Sequence, residues 1–120
     1  MKISTWNVNS VNARIEHLEK FIKKDQSDIY LLQELKTIED GFPKEIIKNS
    51  GYHSYVNGQK AWNGVAILSK KKLEITNTSI PKYDDPNSRF IETEIKLKKI
   101  KKKIKLINIY LPNGNPIETE

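Results

Sequence analysis

Two short apolar stretches, Ile3-Ser4-Thr5-Trp6-Asn7 and Ile29-Tyr30-Leu31-Leu32-Gln33-Glu34, decide the fold, together with the helix-spaced segment between them. The first alternates and then runs apolar, as a β-strand does. In the segment that follows, Val11, Ile15, Leu18 and Ile22 recur at helical spacing with charges between them. This predicts a helix that starts near Ser10 or Asn12, both good N-caps, and ends near Asp25. The run 29–32, bounded by Asp28 and Glu34, suits a strand buried on both faces. Strand, helix, strand in this order implies two parallel neighbours joined by a right-handed crossover. Asn7 and Glu34 must then emerge at the same edge of the sheet. Ligands collect beyond strand ends in such sheets, and a carboxylate beside an amide can hold a hard divalent cation there.

Downstream the texture changes. A loop with Asp40, Gly41 and Pro43 leads to an expected short helix at 44–49, stopped by Gly51. Short strands are expected at 52–56, 64–69, 73–78, 89–97 and 104–111. Asn57-Gly58 signals a turn, 81–88 is a polar loop, and the lysine cluster 98–103 reads as a solvated hairpin turn. Tyr110, Asn113 and Gly114 close the last strand. Pro116, with acidic residues after it, reads as the first turn of a helix, so the expectation is that these residues belong to something longer.

Composition narrows the class. With 120 residues, 37% apolar and 30% charged, the chain suits one small globular domain. No stretch approaches the ~20 apolar residues of a membrane span, and the N-terminus lacks a signal-like apolar run. Without cysteine, disulfide scaffolds, thiolate metal sites and cysteine nucleophiles are excluded, and the cytoplasm is the expected compartment. A net charge of +6 (21 basic minus 15 acidic) favours polyanions such as nucleic acid. Only Arg14 and Arg89 are arginines, and the richness in isoleucine, asparagine and lysine equally fits an AT-rich genome.

The quoted stretches, taken with three more, resemble the exonuclease III family of the endonuclease/exonuclease/phosphatase superfamily. The matching blocks are 4–10 (Ser-Thr-Trp-Asn-Val-Asn-Ser) with Arg14, then Leu32-Gln33-Glu34-Leu35-Lys36. Further along come 63–69 (Asn-Gly-Val-Ala-Ile-Leu-Ser), Arg89-Phe90-Ile91-Glu92 and 108–114 (Asn-Ile-Tyr-Leu-Pro-Asn-Gly). The resemblance implies the N-terminal portion of a four-layered α/β sandwich, a mixed sheet with flanking helices. It also implies Mg²⁺- or Mn²⁺-dependent hydrolysis of phosphodiesters in double-stranded DNA, at abasic sites or 3′ ends. Carried over by position, Glu34 matches the family's metal carboxylate and Asn7 the amide beside metal and phosphate. Tyr110 matches the tyrosine near the scissile phosphate, and Asn113 with Gly114 the loop that shapes the site. The family pattern continues with a Gly-Asp-x-Asn block, a later aspartate and a Ser-Asp-His block. None occurs in these 120 residues, so the expectation is a truncated and impaired nuclease domain.

Each residue also has a plainer reading. Glu34 is by position alone a solvated carboxylate, Asn7 a turn former and Tyr110 half-buried packing. Arg89 is expected either to bind phosphate or to pair with Asp84, Asp85 or Glu92, and Lys36 either to attract phosphate or simply to lie on the surface. His17 and His53 lack metal-ligand spacing and are expected to be exposed. If the chain contributes mainly one of two facing sheets, Ile67, Ile91, Ile95 and Ile107 are left uncovered and drive self-association. The alternatives to a DNA nuclease are a non-catalytic nucleic-acid-binding fragment, an inactive degenerate product, or a phosphoesterase of the superfamily acting on another substrate.

Overall fold

The structure, a computed structural model, describes residues 1–99 and 101–112. In chain order the elements are β1 (Ile3–Asn7), α1 (Ile15–Asp25), β2 (Ile29–Gln33), a 3₁₀ turn (Glu39–Gly41), α2 (Lys44–Asn49), β3 (His53–Asn57), β4 (Val65–Ser69), β5 (Glu74–Asn77), β6 (Phe90–Leu97) and β7 (Lys102–Ile109). They form a four-stranded sheet of order β1-β2-β4-β3 and a three-stranded antiparallel sheet of order β5-β6-β7. β1 and β2 are parallel with Ile3 opposite Ile29 and Asn7 opposite Gln33, as the crossover argument requires. The other pairs of the first sheet are antiparallel, so the sheet is mixed.

Two cores separate three layers. Leu18 and Ile22 of α1 and Ile47 of α2 pack with Tyr30, Leu32, Ala66 and Leu68 beneath the helices. On the opposite face of the first sheet, Ile29, Val65 and Ile67 meet Ile91, Ile95 and Leu106 of the second. β4 is buried along its whole length because it is central in its sheet and covered on both faces.

Two expectations are corrected here. α1 begins at Ile15, not near Ser10 or Asn12, and has no side-chain cap. The amides of Ser10 and Val11 donate to the carbonyls of Glu34 (2.9 Å) and Leu35 (3.1 Å), so helical turns cannot start until the chain leaves that strip. Ser10 still serves a turn, its Oγ accepting from the Ala13 amide at 3.3 Å.

The second correction concerns the sheet faces. Both sheets are present, and Ile67, Ile91 and Ile95 are closed between them. The alternation of β7 turns Leu106 and Asn108 inward, which leaves Ile107 and Ile109 exposed on the outer face of the second sheet. The hairpin reading of 98–103 holds in outline, with β7 starting at Lys102. His17 and His53 are exposed, as expected.

Candidate active site at the strand ends

The parallel pairing of β1 and β2 continues past both strands. The Val8 amide donates to the Gln33 carbonyl (3.0 Å) and the Ser10 amide to that of Glu34 (2.9 Å). Asn7 and Glu34 are thereby held side by side, and Asn7 Nδ2 donates to Glu34 Oε2. The orientation of the amide is determined by its other end, since Asn7 Oδ1 accepts from the Asn9 backbone amide at 3.1 Å. The turn-forming reading of Asn7 is therefore met, and the same side chain lies against Glu34.

Beyond β2 the backbone takes an unusual course. Glu34 (φ 55°) and Lys36 (φ 56°) are left-handed, flanking a fully buried Leu35. This alternation sends Leu35 into the core and its two charged neighbours to the surface. Gly64 (φ +93°) makes room for it, since a Cβ there would lie 2.9 Å from Leu35 Cβ. The loop before β4 then fastens the turn, with Leu35 and Lys36 amides donating to Gly64 (3.2 Å) and Asn63 (3.0 Å) carbonyls. Left-handed non-glycine residues cost of order 1 kcal/mol each, and such strain collects at functional sites. Asn9 and Asn63 are left-handed at the same edge, in keeping with the tolerance of asparagine for that region.

The other residues converge from three directions. Lys36 Nζ donates to Asn9 Oδ1 (2.6 Å) and lies 3.9 Å from Glu34 Oε1. Tyr110, just past β7, is anchored by its amide to the Arg89 carbonyl at 2.8 Å. Its phenol comes against Glu34, and burial first, then the Glu34 charge, push its pKa up, opposed by Arg89. The hydroxyl therefore keeps its proton through neutral pH. Arg89 contributes its charge to this spot, while its guanidinium is turned to Asp85 Oδ2 (3.3 Å) and Asn63 Oδ1 (3.4 Å). The pairing expected of Arg89 is realised with Asp85. Asp85 itself is held low by the Asn87 amide above all, with Arg89 adding to the effect.

Asn7, Glu34, Lys36 and Tyr110 are thus brought together and Arg89 borders them, while Asn113 and Gly114 lie outside the described residues. Sequence reasoning assigned no role to Asn9, Gln33, Asn63 or Asn108, although all four stand inside the quoted blocks.

A divalent ion fits this donor set in part. Glu34 is a partly exposed carboxylate faced by the Asn7 amide nitrogen, the amide oxygen being taken by the Asn9 backbone, and Lys36 Nζ lies 3.9 Å away. Among the described residues no cluster of three or more His, Cys, Asp or Glu stands ready for a metal. One carboxylate and one amide suit an ion that retains most of its water shell, as Mg²⁺ does.

A helix layer over a mixed sheet, a second sheet beneath it, and an acid–amide–phenol group at the strand ends define a class of phosphoesterase-like α/β sandwich. The chain belongs to the endonuclease/exonuclease/phosphatase family, whose profile matches residues 4–117. It is 38% identical over 119 residues to an exodeoxyribonuclease III of Haemophilus influenzae, covering 95% of this chain and 42% of that protein. Among solved structures it resembles a 3′ phosphatase from Neisseria bound to a product DNA hairpin. The TM-score there is 0.88 with 36% identity, over 99% of this chain and 44% of that one. An AP endonuclease from Archaeoglobus fulgidus matches at TM-score 0.82 and 34% identity, over 100% of this chain and 44% of that one. The chain spans less than half the length of each of these relatives. Its fold is that of the exonuclease III and AP endonuclease group, and the relatives it matches are named as hydrolases of that group.

Proposed function

We propose that this chain carries the N-terminal half-site of a metal-dependent DNA phosphodiesterase of repair. In this reading it acts in the cytoplasm on double-stranded DNA at abasic sites or 3′ ends. The observation that carries the reading is the meeting of Asn7, Glu34 and Tyr110 at one strand-end edge. Glu34 would hold Mg²⁺ or Mn²⁺, and Asn7, whose Nδ2 faces that carboxylate, would join it once its side-chain amide turned its oxygen inward. When bound, the ion supplies Lewis-acid neutralisation of the phosphoryl oxygens and a template for the leaving oxygen. Tyr110 donates its retained hydroxyl proton in a hydrogen bond toward a phosphate oxygen. Lys36 and Arg89, with Asn113 and Gly114 further along, attract and seat the phosphate.

A single carboxylate with an amide holds Mg²⁺ weakly, and among the described residues no cluster of three or more His, Cys, Asp or Glu reinforces it. General-base and electrostatic groups are each commonly worth about 10² or more in rate. These 120 residues alone are therefore expected to nick DNA slowly, with full rate requiring groups supplied from outside them. The lysine surplus supports a second reading, DNA binding without chemistry.

The deciding experiment is nicking of an abasic duplex with and without Mg²⁺, run on this chain and on a longer form reaching a Gly-Asp-x-Asn block. Mg²⁺-dependent product that disappears in EDTA and in Glu34→Gln supports the nuclease. Salt-sensitive binding unchanged by EDTA or by Glu34→Gln, with no product from either form, overturns it in favour of the binding module.

A further inference from the structure

The inner face of the second sheet carries a polar side chain where apolar packing would suffice. Asn108 points inward from β7 and is 2% exposed. Its Nδ2 donates to the carbonyls of Leu32 (2.9 Å) in β2 and Ala66 (2.8 Å) in β4. Its Oδ1 accepts from Gln33 Nε2 at 2.8 Å. Gln33 Nε2 is shared with Thr5 Oγ1 (2.9 Å) in β1 and the Leu31 carbonyl (3.2 Å). Both N–H groups and the oxygen of the buried amide are satisfied, and four strands of two sheets are tied through it.

Apolar contact between sheets is non-directional and tolerates sliding, whereas a fully bonded amide specifies one offset. The placement of this one matters for the site. Gln33 immediately precedes Glu34, and Asn108 lies two residues before Tyr110 on the same inward row of β7 and its exit. We propose that Asn108 and Gln33 form an inter-sheet clamp that sets the position of Tyr110 against Glu34. They are positioning residues, touching neither substrate nor metal, and the inference rests on the reading of Glu34 and Tyr110 as one site.

The variant that tests it is Asn108→Leu, close in size and apolar in an apolar setting. It removes the amide but leaves the Leu32 and Ala66 carbonyls and the Gln33 amide without their partner, so it costs stability. The expected result is a lowered melting temperature together with loss of the nuclear Overhauser contacts between the Tyr110 ring and the Glu34 side chain in the chain that remains folded. Gln33→Met should weaken the same contacts to a lesser degree, because Asn108 keeps its bonds to Leu32 and Ala66. Contacts of wild-type strength in a folded Asn108→Leu chain overturn the clamp. So does their absence from the wild type.

Should Asn108→Leu fail to fold, hydrogen exchange of the Asn108 side-chain amide in the unaltered chain decides. Exchange on the order of 10-fold or more slower than a solvated amide supports the clamp, and exchange at the solvated rate overturns it. Loss of the contacts in the variant, with no Mg²⁺-dependent nicking by the wild type, would sink the nuclease reading and leave the clamp standing.

Discussion

The two ends of the first sheet hold polar clusters of similar size and opposite character. At the end away from the site, Asp25 accepts from Lys2 Nζ (2.5 Å), Ser27 Oγ and Tyr30 Oη (2.9 Å). Tyr52 Oη donates to the Ser27 carbonyl at 2.5 Å, and the Tyr30 and Tyr52 rings meet edge to face at 5.4 Å. Ser27, Tyr30 and Tyr52 are buried, and their groups are bonded to one another. At the site end Glu34 is met by one amide, one phenol and a lysine 3.9 Å away, on left-handed backbone and within reach of solvent. A saturated cluster has nothing left to offer a ligand and serves the fold. An under-saturated one held on strained backbone has donors and acceptors to spare, as the proposed function requires.

Substitutions should divide along that line. Glu34→Gln is expected to lower Mg²⁺-dependent nicking by about 10² or more while shifting stability by no more than about 0.5 kcal/mol. Assayed side by side with denaturant unfolding, a large stability loss without a rate loss would erase the contrast between the two ends. Leu35→Ala, buried beneath the site, should cost about 2–5 kcal/mol and depress activity only through loss of folded protein. Circular dichroism melts scaled to activity will show whether that proportionality holds.

At the saturated end, Tyr52→Phe removes a buried hydroxyl and leaves the Ser27 carbonyl without its donor, so a loss of about 1–3 kcal/mol in urea unfolding is expected, with nicking per folded molecule unchanged. Asp25 sharpens the point through pH. Lys2 chiefly, then the Ser27 and Tyr30 hydroxyls, hold its carboxyl well below the usual carboxylate range. A depressed native pKa adds stability that is present above the unfolded value of about 3.9 and is lost as pH falls below it. Asp25→Asn should flatten the acid limb of the stability profile, and an unchanged limb would remove Asp25 from the account. The smallest effect is expected on the outer face of the second sheet. Ile107→Thr should leave stability within about 0.5 kcal/mol yet reduce concentration-dependent self-association in sedimentation velocity. Association that persists in the variant would exonerate that face.

Much of this was legible along the chain. The 3.6-residue spacing of Leu18 and Ile22 and the apolar run 29–32 specified α1 and β2, and their order specified parallel pairing. The juxtaposition of Asn7 and Glu34 followed from that pairing alone. The start of α1 was misread because the caps Ser10 and Asn12 are local signals, while backbone bonds from Ser10 and Val11 to Glu34 and Leu35 are not local. The exposure of Ile107 was misassigned for a related reason. Its inward or outward sense depends on which neighbour of β7 faces the first sheet, and Asn108 faces it despite being polar.

Periodicity, strand order and the polar residues that punctuate strand ends were properties of the sequence by itself, because hydrogen-bond geometry converts them into elements and a shared edge without knowledge of distant partners. Which amide faces inward, how Gln33 and Asn108 join two sheets, and how closely Tyr110 approaches Glu34 were decided only in the tertiary structure. Those depend on packing between segments some 75 residues apart, where satisfaction of buried polar groups, rather than local propensity, selects the arrangement.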